Sequence, residues 1–386
     1  MSNEKRATRE IGLILAFAGS QTSCRGEGIS VFRYDEESSV LKRELLIESG
    51  GNPSYVAYRA TAAAPAPGEG RTAVRRSAGL LYAVQELDTF EGRPGGGLLA
   101  YELEVSAEGR LSARKAASVG TIGTQPCHLA LDDERLYVSN YGDGSLSVFP
   151  LDAGGLPLEP PLHLAYEGRG PHPLRQERAH VHSVALAPGG AFALVADLGR
   201  DKVLAYRVEA SPGGLSLGGE RTTELPPGSG PRHFAFHPDG RFLYLVEELS
   251  NRIAVFAWEG EKGSLEELQS VPTLPESFRG ENTAADVHIT PDGRFLYCSN
   301  RGQDSIVGFE IDAATGLLSR PRHTASGGSH PRNFAVDPAG RFLLVADAKS
   351  DRIAHFRIEP ETGALLPTGI LTELGEPMCL IFGRIA

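Results

Sequence analysis

Cysteine is scarce in this sequence, and the few cysteines lie far apart. They are Cys24, Cys127, Cys298 and Cys379, and none of them belongs to a C-x-x-C pair. Closely spaced cysteines mark redox and zinc sites, so this spacing argues against both kinds of site. We expect buried, reduced thiols instead, because free cysteine behaves as a small apolar side chain.

Long apolar runs are also missing. No run reaches the roughly 18 apolar residues that a membrane-spanning helix needs. The most apolar segment near the start, residues 11–19 (IGLILAFAG), follows Lys5, Arg6 and Arg9 and so raises the question of a signal peptide. It is short, Glu10 adjoins it, and no A-x-A cleavage site follows cleanly. We therefore predict a buried strand here, and a cytoplasmic protein.

Positive charge is in deficit. The 386 residues carry a formal net charge of −11 at pH 7, which argues against nucleic acid or an anionic membrane as a partner. Three motifs are absent as well: G-x-S-x-G, the P-loop, and a G-x-G-x-x-G that follows a strand and opens a helix. The sequence therefore gives no sign of a serine nucleophile elbow or of a nucleotide-binding loop.

Glycine and proline, in contrast, are abundant, with 46 and 26 residues, which favours many tight turns and short strands. One such stretch, residues 237–256 (HPDGRFLYLVEELSNRIAVF), places the turn signal Asp239-Gly240 before two apolar runs. Similar stretches recur along the chain, beginning at corresponding positions: Pro53, Pro126, Val181, Pro231, Ala284, Pro331 and Pro377.

The repeat predicts the fold. A period near 50 residues with four strands per unit is typical of a β-propeller, so we predict an all-β, seven-bladed propeller with antiparallel blades. The last copy is split: residues 376–382 supply its first strand, and residues 14–20 and 29–35 supply the next two. Sharing one blade between the two ends closes the ring. We assign residues 1–10 to a tail, 11–386 to one domain, and 61–77 to a surface insertion.

Polar residues concentrate at one end of the predicted inner strands. The start of the first strand and the end of the second lie at the same end of a hairpin, so residues there converge on one opening. The second-strand ends are Glu86, Asn140, Asp197, Glu248, Asn300-Arg301 and Asp347. With the first-strand starts and the loop 171–183, they supply the candidate binding residues: Arg175, Gln176, His180, His182, Arg232, His233, Arg301, Arg332, His128, Glu248 and Asp286.

A cluster of cations in an acidic protein suits an anionic small molecule, because arginine matches carboxylate and phosphate geometry. Structural roles compete with this interpretation. Glu248 could form a simple salt bridge, and Arg232 and Arg332 could brace neighbouring blades. His180 and His182, two residues apart on a strand, could instead share a metal ion.

Several stretches resemble the lactonase family of seven-bladed propellers, which includes bacterial 6-phosphogluconolactonases and fungal carboxy-cis,cis-muconate lactonizing enzymes. The resemblance covers most of the chain. The stretches that carry it are Arg175-Gln176 with His180-x-His182-Ser183, 195–203 (VADLGRDKV), 230–240 (GPRHFAFHPDG), Glu248-Leu249, 299–306 (SNRGQDSI) and 331–340 (PRNFAVDPAG). The chain departs from the family in the insertion and in Glu247, where a neutral residue is expected.

The resemblance implies hydrolysis of a sugar-acid lactone, and we expect 6-phosphoglucono-δ-lactone, an intermediate of the pentose phosphate pathway. It also implies four catalytic residues: His182, for which His180 is an alternative, with Arg232, Glu248 and Arg301. Either Glu248 or His182 would be the general base. Arg232 and Arg301 would hold the oxyanion and the anionic tail of the substrate, while Arg332, Arg175 and His180 would bind or steer phosphate. This chemistry needs no metal and no cofactor.

Two other functions stay open at this point. A cycloisomerase acting on an unsaturated dicarboxylate is the near variant of the lactonase. A non-catalytic propeller that binds a protein or ligand is the second, because a fold shared by many activities does not establish any one of them. The sequence does not indicate an oligomeric state.

Overall fold

The computed structural model describes residues 13–61, 76–211 and 214–385. The predicted tail, 1–10, lies outside the described residues, and so does most of the predicted insertion 61–77. The insertion prediction extends too far at one end, because Arg76 and Ser77 belong to the strand Arg76–Gln85. That strand continues a β-ladder, and its backbone hydrogen bonds explain why these two residues are not part of a loop.

Seven four-stranded antiparallel sheets form a ring, which confirms the predicted seven-bladed β-propeller. The innermost strand of each blade contacts the innermost strands of both neighbouring blades, all the way round. From the inside outwards, blade 1 comprises Pro377–Arg384, Ile14–Ser20, Ile29–Tyr34 and Leu41–Ile47. Blade 2 comprises Val56–Arg59, Arg76–Gln85, Gly97–Val105 and Leu111–Gly120. Blade 3 comprises Pro126–Leu131, Arg135–Asn140, Ser145–Pro150 and Leu162–Ala165.

The remaining blades follow in chain order. Blade 4 comprises Val181–Leu186, Phe192–Asp197, Lys202–Ser211 and Gly214–Glu224. Blade 5 comprises Pro231–Phe236, Phe242–Glu247, Arg252–Glu259 and Ser264–Pro272. Blade 6 comprises Thr283–Ile289, Phe295–Arg301, Ser305–Ile311 and Leu318–Ala325. Blade 7 comprises Pro331–Val336, Phe342–Asp347, Arg352–Ile358 and Leu365–Glu373. Outside the blades lie a small hairpin and two 3₁₀ turns: Thr89–Phe90 with Arg93–Pro94, Leu198–Arg200 and Ala348–Ser350.

The described part of the chain contains no helix whose length and apolar character would let it cross a membrane.

Blade 1 closes the ring as predicted. Its innermost strand comes from the C-terminal part of the chain and pairs with Ile14–Ser20, so that Ile14 lies opposite Arg384. The N-terminal strand is fully buried, in keeping with its apolar sequence. Because these two segments complete one sheet, neither blade 1 nor its neighbours present an open inner edge.

Turn chemistry fixes the hairpin between the first and second strands. In blade 5, Gly240 has a φ of 77°, a conformation that favours glycine, and Asp239 Oδ1 accepts a hydrogen bond from Arg241 N at 2.9 Å. The Pro-Asp-Gly signal is therefore a turn that sets the register of the two strands.

A repeated hydrogen bond joins neighbouring blades. A buried tyrosine on the second strand of one blade donates its hydroxyl to a glycine carbonyl between the third and fourth strands of the next blade. The pairs are Tyr82 with Gly155, Tyr244 with Gly316, and Tyr297 with Gly363. The glycines all have positive φ, which turns the carbonyl towards the neighbour. Each bond satisfies a hydroxyl inside an otherwise apolar inter-blade core, where an unpaired polar group would be costly.

Two aspartates at equivalent strand ends have opposite surroundings. Asp197 of blade 4 is paired with Arg200 Nε at 2.5 Å and accepts a hydrogen bond from His180 N at 2.9 Å. Asp347 of blade 7 is equally buried, but among the described residues neither of its oxygens has a donor in hydrogen-bond geometry, and no cation pairs with it. Burial raises the pKa of Asp347 to about 7, so this carboxyl keeps its proton well above the range of an ordinary aspartate.

Asp347→Asn should therefore stabilise the protein at alkaline pH. The folded chain holds the proton up to about pH 7, whereas the unfolded chain releases it near pH ~4, so stability falls as the pH rises between these values. Urea unfolding should show a higher midpoint for the variant at pH 8 and a smaller change at pH 5. The matched control, Asp197→Asn, loses its ion pair and should lower the midpoint at both pH values. If Asp347→Asn changed the urea midpoint by the same amount at pH 5 and at pH 8, the raised pKa of Asp347 would be contradicted.

Candidate functional site

Bulges at the start of the inner strands turn side chains towards the channel. The ladder pairs the first residue of the inner strand with the end of the second strand, as in Pro231 opposite Glu247, which confirms that these positions share one end. Residues close after the strand start have no partner across the ladder in six blades: Met378, Cys127, His182, Arg232 with His233, Ala285 with Asp286, and Arg332. A bulge bends the strand and redirects these side chains, which explains why they converge.

A cavity of about 250 Å³ lies among these strand ends. Blades 2 to 7 and the loop before blade 4 all contribute to its wall. The lining residues are Glu86, Gln125, Cys127, Tyr141, Arg175, His182, Glu248, Arg301 and Arg332. Five of them, His182, Glu248, Arg301, Arg175 and Arg332, are among the site residues predicted from the sequence.

The carboxylate of Glu248 is the centre of an arginine cluster. Oε1 accepts a hydrogen bond from Arg175 Nη2 at 2.5 Å, and Oε2 lies 2.9 Å from both Arg232 Nε and Arg301 Nη2. The Arg232 contact is an ion pair without hydrogen-bond geometry, because Nε has no acceptor aligned with its N–H. Both oxygens of Glu248 are thus committed to cations.

Burial of this cluster makes its charges interdependent. Glu248 is 1% exposed and Arg232 is 2% exposed. Burial by itself raises the pKa of Glu248, but the guanidinium groups of Arg301, Arg232 and Arg175 outweigh it and hold the pKa below its usual range. Burial and the neighbouring Arg301 lower the pKa of Arg232 to about 9. The cluster therefore stays ionised at neutral pH only because its members face one another.

The neighbouring carboxylate, Glu247, does not join this cluster. It is buried, accepts a hydrogen bond from Ser250 Oγ at 2.7 Å, and lies opposite Arg252 on the adjacent strand. Burial raises the pKa of Glu247, the reverse of the shift at Glu248. Since adjacent residues of a strand point to opposite sides, this departure from the family adds no side chain to the cavity wall.

His182 presents a neutral imidazole to the cavity. Its Nδ1 lies 4.0 Å from Cys127 Sγ, and Nε2 has no hydrogen-bond partner within the described residues. Burial, reinforced by the positive charges of Arg232 and other neighbours, holds the pKa of His182 well below its usual value. The Cys127 thiol donates towards His182 O at 3.4 Å, and burial raises its pKa to about 12, so it is not a thiolate nucleophile.

Arg332 differs from the other arginines of the cavity. Among the residues that the structure describes, its guanidinium forms no hydrogen bond and no ion pair, although it lines the cavity. Arg301, in contrast, is tied to Glu248 and donates to Ala284 O at 3.2 Å. Arg332 is consequently a cation whose charge no neighbouring side chain of the described chain neutralises through direct contact.

Three predicted binding residues lie in a deeper layer. His233, Asp286 and His128 line a second cavity of about 260 Å³ and not the first one. His233 Nδ1 donates to Asp286 Oδ1 at 2.7 Å, and its Nε2 lies 3.2 Å from Arg232 Nη1. Burial and Arg232 lower the pKa of His233 to about 4, so the neutral ring can accept from Arg232. His233 therefore contacts Arg232 directly, while Asp286 and His128 hold His233.

Two further predicted residues brace the loop 171–183. Gln176 is fully buried; its Nε2 donates to Leu198 O and Asp201 Oδ1, and its Oε1 accepts from His172 N. His180 stacks on Tyr141 with ring centroids 4.4 Å apart. Both residues hold the loop that carries Arg175 and neither lines the cavity.

The alternative of a metal shared by His180 and His182 finds no support in the side-chain contacts. His180 Nδ1 bonds to Tyr141 O at 2.7 Å and its Nε2 lies 3.2 Å from Glu177 Oε1, while His182 faces the cavity beside Cys127. Across the described ranges, no three His, Cys, Asp or Glu side chains are grouped so as to hold a metal ion.

Four residues of the cavity wall were not predicted as site residues from the sequence: Glu86, Gln125, Cys127 and Tyr141. Glu86 directly follows the second strand of blade 2, and Cys127 follows the inner-strand start of blade 3, so both stood at positions that the repeat had marked. Tyr141 follows such a position by one residue, and its hydroxyl lies 3.3 Å from Arg175 Nε and Nη2.

Comparison with known proteins assigns the family. A family model described as lactonase, 7-bladed beta-propeller, matches residues 71–382. The chain belongs to the lactonase family. The resemblance seen in the sequence is thereby confirmed, and with it the enzyme class of a lactone hydrolase.

Individual relatives of this lactonase agree with that result. It is 32% identical over 325 residues to a 6-phosphogluconolactonase of Bacillus subtilis, covering 84% of this chain and 85% of the relative. It is 33% identical over 328 residues to a 6-phosphogluconolactonase of Formosa agariphila, covering 83% and 86%. The solved structure of a periplasmic gluconolactonase from Pseudomonas aeruginosa superposes with a TM-score of 0.80 at 34% identity, over 97% of this lactonase and 100% of that chain.

Replacing Glu248 by glutamine should destabilise the lactonase strongly. Breaking a buried ion pair typically lowers the free energy of unfolding by about 3–5 kcal/mol, because uncompensated charges are left behind. The folded-state pKa of Glu248 is lowered, so its contribution is present above pH ~4 and is lost as the pH falls further. Urea unfolding should therefore show a large difference between wild type and variant at pH 7 and a smaller one at pH 3.5.

Glu247→Gln is the matched control for this experiment. The pKa of Glu247 is raised, whereas that of Glu248 is lowered, so this substitution should change stability little or raise it at pH 7. Similar losses from the two substitutions would show that burial alone, and not the arginine cluster, decides the effect.

Proposed function

We propose that this lactonase hydrolyses 6-phosphoglucono-δ-lactone to 6-phosphogluconate in the cavity between the strand ends. The observation that carries the proposal is a buried, neutral imidazole, His182, at the wall of a cavity that also holds Arg332, a cation without a partner among the described residues. Opening a lactone requires a base for the attacking water and a positive environment for the oxyanion that forms. The cavity offers both, and the names of two relatives point to this substrate.

His182 fits the general base better than Glu248 does. The two carboxylate oxygens of Glu248 are occupied by three arginines, and a proton placed there would break the cluster. The Nε2 atom of His182 has no partner within the described chain, so it can accept a proton from water. In the second half of the reaction the imidazolium returns this proton to the ring oxygen as the C–O bond breaks. Water and lactone thus yield one molecule of the open acid.

Arginine side chains would hold the negative charges. Arg301 lines the cavity, and its Nη1 is not used in the contacts to Glu248 and Ala284, so it can donate to the oxyanion. Arg332 and the partly exposed Arg175 would bind the phosphate. Arg232 is too deeply buried to touch substrate; it donates to Ala285 O at 2.6 Å and holds Glu248 in place.

This substrate would place the enzyme in the pentose phosphate pathway and in the cytoplasm. Phosphorylated sugars are retained inside cells, whereas a solved relative is described as a periplasmic gluconolactonase. Turnover of the phosphorylated and the unphosphorylated lactone, each corrected for spontaneous hydrolysis, is the direct test of the preferred substrate. Absence of turnover on both would contradict the proposal and favour the cycloisomerase or the binding scaffold.

Substitution His182→Gln should lower kcat for 6-phosphogluconolactone by about 10²–10⁴-fold and change KM little, since the base acts in the transition state. The lowered pKa of His182 keeps it unprotonated, so wild-type kcat/KM should not fall between pH 7 and pH 6. The control is His180→Gln, which removes a ring outside the cavity and should lower kcat far less. A larger loss from the His180 variant would move the base assignment to that residue.

Arg332→Gln should reveal phosphate recognition. Loss of a charged hydrogen-bond donor should raise KM for 6-phosphogluconolactone about 10- to 100-fold, while KM for gluconolactone changes less than about threefold. Arg320→Gln, at an exposed arginine paired with Glu310, is the control and should leave both unchanged. An equal rise of KM for both lactones would show that Arg332 does not bind the phosphate.

A further inference from the structure

One carboxylate of the cavity wall, that of Glu86, has no partner among the described residues. Glu86 follows the strand Arg76–Gln85 of blade 2, where its backbone N–H donates to Asn52 O at 3.2 Å. Its Oε2 is buried and forms no hydrogen bond. Over the described residues, neither oxygen contacts a cation or a hydrogen-bond donor. The backbone of Glu86 is therefore anchored, while its charged end faces the cavity unpaired.

This state contrasts with Glu248, which lines the same cavity. Glu248 binds three guanidinium groups, whereas Glu86 has none. A buried acceptor without a donor is costly, and native chains keep most such groups satisfied. An unsatisfied carboxylate at a cavity wall is thus an indication that a ligand supplies the missing donors.

The position of Glu86 in the ring limits what that ligand can be. Glu86 on blade 2 and Arg332 on blade 7 lie on either side of blade 1, which contributes no side chain to the cavity wall. Both carry unpaired charges of opposite sign. The ligand should accordingly offer an anionic group to Arg332 and hydrogen-bond donors, without a negative charge, to Glu86.

Hydroxyl groups meet the second requirement. An ionised carboxylate only accepts hydrogen bonds, and its two oxygens can receive two neighbouring hydroxyls of one sugar ring. A second carboxylate at this place would be repelled by Glu86. A site built to bind hydroxyls also rejects analogues that lack them, because its polar atoms are then left unpaired.

We propose that Glu86 binds hydroxyl groups of a polyhydroxylated lactone and discriminates against unsaturated dicarboxylates. Glu86 is then a specificity-determining residue, because it favours a polyhydroxylated lactone over a substrate with two carboxylates on chemical grounds. This inference rests on the lactone-hydrolase function proposed above, and it specifies the class of substrate that the same cavity takes.

The kinetic test compares Glu86→Gln with wild type on two lactones. For 6-phosphogluconolactone, KM should rise about 10- to 100-fold with kcat within about threefold, because the hydroxyls are bound equally in the ground and transition states. For δ-valerolactone, a six-membered lactone without hydroxyls, the variant should equal wild type. Glu91→Gln, at an exposed residue bonded to Ser118, is the control and should match wild type on both. An unchanged KM, or an equal loss of kcat on both lactones, would overturn the proposal.

A binding measurement separates this proposal from the proposed function. Calorimetry would compare 6-phosphogluconate with cis,cis-muconate on wild type and on Glu86→Gln, without any need for turnover. We expect the variant to bind the sugar acid about 10- to 100-fold more weakly and the dicarboxylate more tightly. If wild type binds but hydrolyses neither lactone, the proposed function fails while this pattern still supports Glu86 recognition. Equal affinities of wild type and variant for both compounds would overturn the Glu86 proposal alone.

Discussion

The ion cluster around Glu248 is the interaction on which the arrangement of the cavity depends. Its three arginines come from the loop before blade 4, the bulge of blade 5 and the strand end of blade 6, and without the carboxylate they would repel one another in a space nearly closed to water. One side chain therefore fixes three segments that are distant in sequence. The deeper layer also holds Arg232 in place, because Asp286 orients His233 and His233 lies against Arg232.

The cavity combines committed and uncommitted charges. The cluster at Glu248 has its donors and acceptors largely satisfied within the protein, so it shapes the wall and supplies a positive field. Arg332, Glu86 and the Nε2 atom of His182 have no partner in the described chain, and they lie on different blades. Groups of the second kind are available to a substrate, and proton transfer, phosphate binding and hydroxyl binding are proposed for them. Arg301 and Arg175 of the cluster would add donors for the oxyanion and the phosphate.

Much of the fold and part of the site could be predicted from the sequence, because both follow from the repeat. Strand positions, turns and the split blade recur at a fixed period, and strand ends at one side of a hairpin must converge. The repeat does not predict whether a polar residue lines the first cavity or lies in the deeper layer. Bulges skip one residue in blade 4 and two in blade 5, so His182 reaches the first cavity while His233 lies behind Arg232.

The repeat also does not predict whether a charged side chain is paired. Glu86 and Glu248 stand at equivalent strand ends, yet one is unpaired and the other binds three arginines that no local pattern announces. Gln176 looked like a binding residue because it belongs to a polar loop, and its donors turn out to hold that loop.

The shared blade has a consequence for how the chain is made. The innermost strand of blade 1 is residues 377–384, and it contacts the inner strands of both neighbouring blades. During synthesis, blades 2 to 7 can form in order as they leave the ribosome, whereas blade 1 must wait with its inner edge open until residues 377–384 arrive. Ring closure therefore follows the synthesis of this strand, and a nascent chain interrupted before residue 377 would present two unpaired inner surfaces to other polypeptides.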